Sequence, residues 1–149
     1  MNPAVRQAQP ADLDVLAGLF DAYRQFYAQP SDVDGARRFL EQRMTNRESV
    51  VFLAEANGEP AGFVQLYPLF SSVGMRRVWI LNDLFVASTA RRSGVGAALM
   101  AAAHDMARAD GAASVLLETH ADNRNAQSLY EKLGYRRNDE TWFYCLPLT

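Results

Sequence analysis

A short segment of the chain, residues 91–96 (Arg-Arg-Ser-Gly-Val-Gly), carries the residue types that bind a phosphate group. It follows a predicted strand and precedes a predicted helix. Glycines let the backbone approach a ligand closely, the first amides of a helix are free to donate hydrogen bonds, and arginines add positive charge. The segment therefore predicts a phosphate-binding loop, although a tight turn with solvated arginines gives the same pattern.

Two common phosphate-binding motifs fit the segment poorly. It lacks the Gly-Lys-Ser/Thr of a triphosphate-binding loop. The dinucleotide fingerprint matches at Gly94 and Gly96, and Glu118 follows at the spacing of a ribose ligand, but Leu99 replaces the third glycine. Roughly fifty residues follow the loop, too few for the further strands of a dinucleotide fold. A dinucleotide-dependent oxidoreductase is therefore a weaker alternative.

The composition is that of a soluble globular domain. Of the 149 residues, 49% are hydrophobic and 21% are charged, with a net charge of −2. We expect a single domain, 1–149, without a nucleic-acid partner. No run reaches the ~18 apolar residues of a membrane span, and His104 and His120 lie too far apart to predict a metal site. The lone Cys145 and the lack of a signal peptide predict a cytoplasmic location.

The elements that position the loop follow from the spacing of apolar residues. Asn57-Gly58 is typical of a hairpin turn. Asp12 is a candidate N-cap, and Gly111 and Gly134 are candidate helix ends. The predicted strands are 4–8, 49–56, 61–70, 76–87, 114–120 and 141–148, and the predicted helices are 13–27, 34–46, 95–109 and 123–133.

The order of these elements predicts a mixed sheet with helices. Strand 76–87 is apolar on both faces, so we expect it inside the sheet. The predicted buried stripe of helix 95–109 is Val95, Leu99, Ala102 and Met106.

Two motifs together resemble the signature of the GNAT acyltransferases. Segment 91–96 reads Arg-x-x-Gly-x-Gly, and segment 123–135, about thirty residues later, reads Asn-x-x-Ala-x-x-x-Tyr-x-x-x-Gly-Tyr. With the two early helices and the Leu-Asn-Asp-Leu-Phe-Val strand, the resemblance covers essentially the whole chain. It implies an α/β (α+β) GNAT fold: a mixed, mostly antiparallel central sheet that is splayed between its two parallel central strands and flanked by about four helices.

The resemblance implies acetyl-coenzyme A as the acyl donor. Its pyrophosphate would lie on the amides of residues 92–97, and its pantetheine arm would pair with residues 84–86 where the central strands splay. Ser128 and Lys132 would reach its adenosine end. The implied cofactor-binding residues are Leu84, Phe85, Val86, Arg91, Arg92, Ser93, Gly94, Val95, Gly96, Ala97, Asn123, Ala126, Ser128, Tyr130 and Lys132.

For the reaction, the resemblance implies a general acid and an oxyanion donor. Tyr130 matches the tyrosine that protonates the leaving thiolate, since a neutral phenol can donate a proton at pH 7; its alternative is a core aromatic. An amide of Phe85 or Val86 would point at the thioester carbonyl. Asn123 matches the cofactor-contacting asparagine of the family, but it also fits a helix N-cap.

The general base is left open. The strand before the loop resembles the polyamine acetyltransferase branch, in which a glutamate precedes the aspartate; here Asn82 holds that position and Asp83 is retained. Alternation predicts that these two side chains face opposite sides. Asp83 is a catalytic candidate or a structural residue bonded to backbone at the splay. Glu118 and His120, expected on one face of the next strand, and a water relay are the alternatives.

The expected acceptor is a primary amine, either a polyamine- or diamine-like small molecule or a lysine side chain. In this fold the first two helices and the segment between strands three and four contribute to the acceptor site. Aromatic and acidic side chains there suit a cation, although such aromatic spacing is also typical of a core. They are Tyr23, Phe26, Tyr27, Asp32, Asp34, Tyr67, Phe70 and Ser71.

Four residues are the candidates for contact with the acceptor: Tyr23, Tyr27, Asn82 and Glu118. The apolar last strand predicts a homodimer, as is common for such family members. A non-catalytic acyl-coenzyme A sensor of the same fold is the alternative function, and only the missing glutamate at Asn82 supports it.

Overall fold

The structure, a computed structural model, describes residues 2–149, which form two compact units. The first unit, residues 2–118, contains a five-stranded sheet and three α-helices. The second unit, residues 119–149, contains one α-helix. The single-domain expectation stays a prediction.

The first unit has the predicted order of strands and helices. The sheet runs β1-β2-β3-β4-β5, and every neighbouring pair is antiparallel except β4 and β5, which are parallel. Its elements are β1 (Ala4–Gln7), α1 (Leu13–Phe26), α2 (Val33–Thr45), β2 (Val50–Ala56), β3 (Glu59–Ser71), β4 (Arg76–Val86), α3 (Val95–Ala109) and β5 (Val115–Leu116), with 3-10 turns at Pro10–Asp12 and Ser88–Ala90.

The first two helices begin in different ways. The Asp32 carboxylate accepts the Gly35 N–H at 2.9 Å and caps α2. The predicted cap of α1 is wrong, because the Asp12 carboxylate accepts the Gln9 N–H at 2.7 Å and pairs with Arg6 at 2.7 Å. The bond from Arg6 lowers the pKa of Asp12 to about 2. This pair ties the end of β1 to the entrance of α1.

Helices α1 and α2 cover one face of the sheet and α3 covers the other. The first layer holds the core cluster Ala8, Leu13, Leu16, Phe20, Ala36, Leu40, Val51, Leu53 and Phe63. On the opposite face, α3 buries Val95, Leu99, Met100, Ala103 and Ala107. The predicted stripe is thus partly wrong, since Ala102 and Met106 are only half-buried. Helix α3 is apolar around most of its circumference, so spacing alone does not single out its buried face.

The hairpin between β2 and β3 confirms the Asn-Gly prediction. Ala56 pairs with Glu59, which leaves a loop of two residues. Asn57 and Gly58 both have left-handed φ, 55° and 77°. A type I′ turn requires this conformation at both central positions.

One extra residue interrupts β4. Gln65 pairs with Asp83 but Leu66 pairs with Leu81, so Asn82 is the additional residue of a β-bulge. A bulge breaks the alternation of side chains along its strand. The prediction that Asn82 and Asp83 face opposite sides is therefore wrong, and Asn82 Nδ2 donates to Asp83 Oδ1 at 3.1 Å.

The parallel pairing of β4 with β5 is short. It consists of Trp79 with Val115 and Ile80 with Leu116. Strand β5 covers two residues of the predicted strand 114–120, and among residues 2–118 nothing pairs with the β5 side of β4 beyond Ile80. The sheet is therefore open where the splay was expected.

The second unit is built around α4 (Arg124–Lys132). The Asn123 side chain accepts the Ala126 N–H at 3.3 Å and caps it, and Gly134 follows its end with φ 99°. The predicted strand 141–148 is wrong, because residues 119–149 contain no strand. Apolar residues in extended chain make a strand only when a neighbour takes their backbone hydrogen bonds.

The described part of the chain contains neither a helix that could span a membrane nor a cluster of metal ligands. None of its helices is both long and apolar enough to cross a membrane. None of the His, Cys, Asp and Glu side chains of residues 2–149 form a group of three that could hold a metal ion. The cytoplasmic location stays a prediction.

Candidate active site

The glycine loop leads into the start of α3. Gly94 has φ 83°, a conformation that favours glycine. At Gly96 the feature is open space beside the backbone. A Cβ built there meets only Val86 Cγ2, at 3.7 Å, among the described residues. Within residues 2–149, no side chain caps the first amides of α3. The loop thus leaves open space beside backbone donors, as a bound anion needs.

The polar side chains of the loop divide into two groups. Arg91 Nε donates to the Val86 carbonyl at 3.3 Å, and the Ser93 hydroxyl donates to the Ala90 carbonyl. These two side chains hold the loop itself. Arg92 is exposed and has a left-handed φ of 64°, which glycine adopts more readily. The binding of an anion by either arginine stays a prediction.

The open edge of β4 completes the expected cofactor surface. Phe85 pairs with Phe63 and Val86 with Gly62 on the β3 side. On the β5 side these residues have no ladder partner in residues 2–118. The uncapped helix start, the space at Gly96 and this free edge fit the pyrophosphate and pantetheine arm of acetyl-coenzyme A.

Asp83 is a buried carboxylate, with 5% of its surface exposed. Gln65 Nε2 donates to its Oδ2 at 2.7 Å, Asn82 donates to its Oδ1, and the Tyr23 hydroxyl also bonds to it. Burial raises the pKa of Asp83, and the three hydrogen bonds oppose that rise. The expectation of backbone bonding is wrong, since side chains surround this group.

The bulge determines which face Asp83 occupies. Trp79 lies on the α3 face, where its Nε1 donates to Asp110 Oδ2 at 3.0 Å. Residues 79 and 83 would share a face in a regular strand. Asp83 instead meets Tyr23 of α1 on the opposite face. The bulge therefore brings the carboxylate to the side covered by α1 and α2.

A row of aromatic rings joins Asp83 to the surface beside the glycine loop. This aromatic row consists of Phe26, Tyr27, Tyr23 and Phe85. Successive ring centroids are 5.3, 5.2 and 6.0 Å apart. At the outer end, Phe26 and Tyr27 are exposed and the Arg91 guanidinium lies 5.9 Å above the Phe26 ring. At the inner end, Tyr23 bonds to Asp83. An aromatic wall beside a carboxylate suits a cationic ligand.

The sequence analysis missed one residue of this site, Gln65. It is fully buried and bonds directly to Asp83. Its neighbour Tyr67 has a pKa raised to about 12, by burial first and then by the charge of Asp83. The signal was a single glutamine within the otherwise apolar run Phe-Val-Gln-Leu-Tyr, whose buried amide needs a polar partner.

Other expected acceptor residues have local roles. Asp32 caps α2, and the Ser71 hydroxyl accepts the Gly74 N–H at 3.0 Å. Phe70 lies under the Arg77 guanidinium at 4.8 Å. A cavity of about 780 Å³ lies at that end of the sheet beside Arg77, and its described lining contains none of the predicted site residues.

Tyr130, the expected general acid, lies on α4 in the second unit. It is half-buried, and its ring centroid is 5.8 Å from that of Tyr135. Burial raises the pKa of Tyr135 to about 12. Asn123 has the N-cap role foreseen for it, while Ser128 and Lys132 on the same helix are exposed. The catalytic and cofactor roles of these residues stay predictions.

The expectation that Glu118 and His120 share one face stays a prediction. Strand β5 ends at Leu116, so the argument that placed both on one face does not reach them. In the second unit, His120 Nδ1 accepts the Asp122 N–H at 3.2 Å.

Comparison with known proteins agrees with these features. Residues 16–135 match the Acetyltransferase (GNAT) family. The chain is 51% identical to the uncharacterized N-acetyltransferase YhfO of Bacillus subtilis, over 95% of each protein, and 33% identical to a probable acetyltransferase of Haemophilus influenzae, over 96% of this chain and 97% of the other.

A solved structure agrees as closely. The crystal structure of a probable acetyltransferase superposes with a TM-score of 0.93 at 44% identity and covers 98% of both chains. The resemblance seen in the two motifs thus extends to the sequence and the fold of nearly the whole chain. The chain belongs to the GNAT family of acetyltransferases and is an acetyltransferase.

Proposed function

We propose that the protein transfers the acetyl group of acetyl-coenzyme A to a primary amine that arrives as a cation. A polyamine- or diamine-like small molecule fits best, and a lysine side chain is the second candidate. One observation carries the proposal: Asp83 is a buried carboxylate at the inner end of an aromatic row whose outer end is exposed beside the glycine loop. Aromatic faces and a carboxylate offset part of the cost of taking a cation out of water.

The cofactor would be held by backbone more than by side chains. Bound acetyl-coenzyme A supplies an activated acetyl thioester. The first amides of α3 and the Arg92 guanidinium would bind its pyrophosphate, and the free edge of residues 84–86 would bind its pantetheine arm. An amide of Phe85 or Val86 would stabilise the negative charge that develops on the carbonyl oxygen.

The acceptor must lose a proton before its nitrogen can attack. Asp83 would receive the ammonium and take one of its protons, directly or through a water molecule. Burial raises the pKa of Asp83 and so makes it a better base than a solvated carboxylate. The neutral nitrogen would then attack the carbonyl carbon, and the bond from that carbon to sulfur would break as the Tyr130 phenol gives its proton to the departing sulfur. The second proton that the nitrogen loses as the amide forms would restore the phenol.

The test is release of free thiol from acetyl-coenzyme A with a panel of amines: polyamines, diamines, lysine analogues, amino acids, aminoglycosides and a basic peptide. Wild type is compared with Asp83→Asn, Tyr130→Phe and the control Asp105→Asn. Asp105 is an exposed aspartate on α3 that pairs with Arg108 at 3.4 Å. We expect turnover with one amine class, a loss of at least about 100-fold in both site variants, and wild-type rates in the control.

Three results would count against the proposal. Turnover of the basic peptide alone would replace the small amine by a lysine side chain. Cofactor binding without turnover of any amine would favour the acyl-coenzyme A sensor. Wild-type rates in Asp83→Asn would remove the carboxylate from the acceptor site.

We also propose a homodimer formed through the C-terminal segment. Apolar side chains of this segment are 80–90% exposed: Trp142, Phe143, Tyr144, Leu146 and Leu148. Several exposed apolar side chains within one short segment are unfavourable in water and are typical of an interface. Light scattering should give twice the 16.6 kDa chain mass. Trp142→Ser should lower that mass. The control Val73→Ser, at a 99% exposed position, should not lower it. A monomeric wild type would contradict the proposal.

A further inference from the structure

Gln65 is a fully buried polar residue with an uneven set of partners. Its Nε2 donates to Asp83 Oδ2 at 2.7 Å, and its side chain also bonds to Tyr67. Its Oε1, by contrast, has no hydrogen-bond partner among residues 2–149. A buried amide that leaves its own acceptor unpaired is costly. The arrangement therefore satisfies the hydrogen-bonding needs of the Asp83 carboxylate and leaves those of Gln65 partly unmet.

Apart from Asp83 and Tyr67, the residues next to Gln65 in the sheet are apolar. The residues beside it in β3, Val64 and Leu66, are fully buried and apolar, and Val51 lies opposite it on β2. A methionine or leucine would fill this position without an unpaired polar atom. What an apolar residue lacks is an N–H for Asp83.

We propose that Gln65 is a positioning residue of the acceptor site: its buried amide fixes the Asp83 carboxylate that receives the ammonium of the substrate. The inference rests on the proposed amine acceptor, and it adds a residue that does not itself touch the substrate. Asn82 and Tyr23 are the other donors to Asp83. Gln65 differs from both because it is the fully buried one and comes from the neighbouring strand.

The charged and titratable groups around Asp83 come from each packed element. Tyr23 faces it from α1 and Tyr67 from β3, and Arg43 of α2 acts on Tyr67. The donors favour the ionised carboxylate and burial opposes it. Removal of the Gln65 N–H should therefore make Asp83 harder to ionise, and it also removes the bond to Tyr67.

The main variant is Gln65→Met, which keeps the volume and removes the donor. We expect the pKa of Asp83, followed by NMR titration of its carboxyl carbon, to rise by about one unit. The acid limb of kcat/KM for the preferred amine should move to higher pH by the same amount, about a tenfold loss below the limb. Leu66→Met, at an equally buried position on the other face of β3, should move neither.

A second variant keeps the test usable if Gln65→Met folds poorly. Gln65→Glu has the same shape and places a second carboxyl beside Asp83, so the two groups should share one proton. The shared proton should leave at higher pH, and because the base must be ionised, the acid limb of kcat/KM should move to higher pH as well. Gln65→Met should also cost nothing further in an Asp83→Asn background if it acts through Asp83.

The outcomes separate this inference from the proposed function. Turnover of no amine at all would end the proposed function, and the NMR titration would still report on Gln65. An Asp83 pKa that is unchanged in Gln65→Met would overturn the inference alone. A changed pKa with an unmoved acid limb, or an equal shift in Leu66→Met, would also overturn it and leave Gln65 as a packing residue.

Discussion

The close approach of β3 to β4 at Gly62 allows a sharp test of the site. A Cβ at this position would lie 2.4 Å from the Phe85 carbonyl oxygen, 3.2 Å from Val86 Cα and 3.3 Å from Leu99 Cδ1. The first two atoms are backbone, so they cannot turn away as a side chain can. Gly62→Ala must therefore displace β4 at the residues proposed to stabilise the oxyanion.

The size of the effect follows from that contact. A carbon and an oxygen in ordinary contact lie about 3.3 Å apart, so the strands must move by roughly 0.9 Å. Overpacking of this kind costs about 1–3 kcal/mol of unfolding free energy. A displacement near 1 Å at catalytic groups costs about 100-fold in rate. We expect both losses in Gly62→Ala, measured by urea denaturation and by kcat/KM for thiol release.

A second glycine provides the control. Gly18 is exposed on α1, and of the described atoms none lies within 4 Å of a Cβ built there. Gly18→Ala should stabilise the protein by about 0.5–1 kcal/mol and leave kcat/KM unchanged. If Gly62→Ala keeps wild-type stability and activity, the strands are not held at the distance argued here and the reasoning is refuted.

Three further predictions concern stability. Leu99→Ala, at a fully buried position on α3, should cost about 3–5 kcal/mol in urea denaturation, and a cost under about 1 kcal/mol would contradict the packing described. Asp32→Ala removes the cap of α2 and should cost about 1 kcal/mol, while the exposed Asp34→Ala should cost less than half of that. Since burial raises the pKa of folded Asp83, its ionisation costs stability as the pH rises from the unfolded value of about 3.9 through the raised folded value. Asp83→Asn should therefore gain stability relative to wild type over that pH range, and a difference independent of pH would show that Asp83 does not titrate with folding.

Local signals in the sequence predicted the elements on either side of the glycine loop and the turn between β2 and β3. The Asn57-Gly58 turn and the bounds of helix 95–109 were confirmed because turn chemistry and helix ends depend on neighbouring residues. The bulge at Asn82 was not predicted, since alternation assumes a regular ladder. Gln65 was missed because its role comes from a partner 18 positions away on another strand. The prediction of a strand at 141–148 was wrong for a related reason. An apolar sequence does not show whether another strand is available to pair with its backbone.

The bulge in β4 makes the site depend on chain length as well as on residue type. Deletion of Asn82 would restore a regular ladder in which Gln65 still pairs with Asp83 and Leu66 with Leu81. Asp83 would then stay on the face of Tyr23 and lose only the hydrogen bond from Asn82. An insertion between residues 76 and 81 would also leave Asp83 in place but reverse the side chains before the bulge. Evolution of this strand should therefore accept substitutions, and loss of the bulge residue itself, more readily than single-residue insertions or deletions elsewhere in the strand. A relative that lacks one residue here would carry its acid at a different position in the sequence.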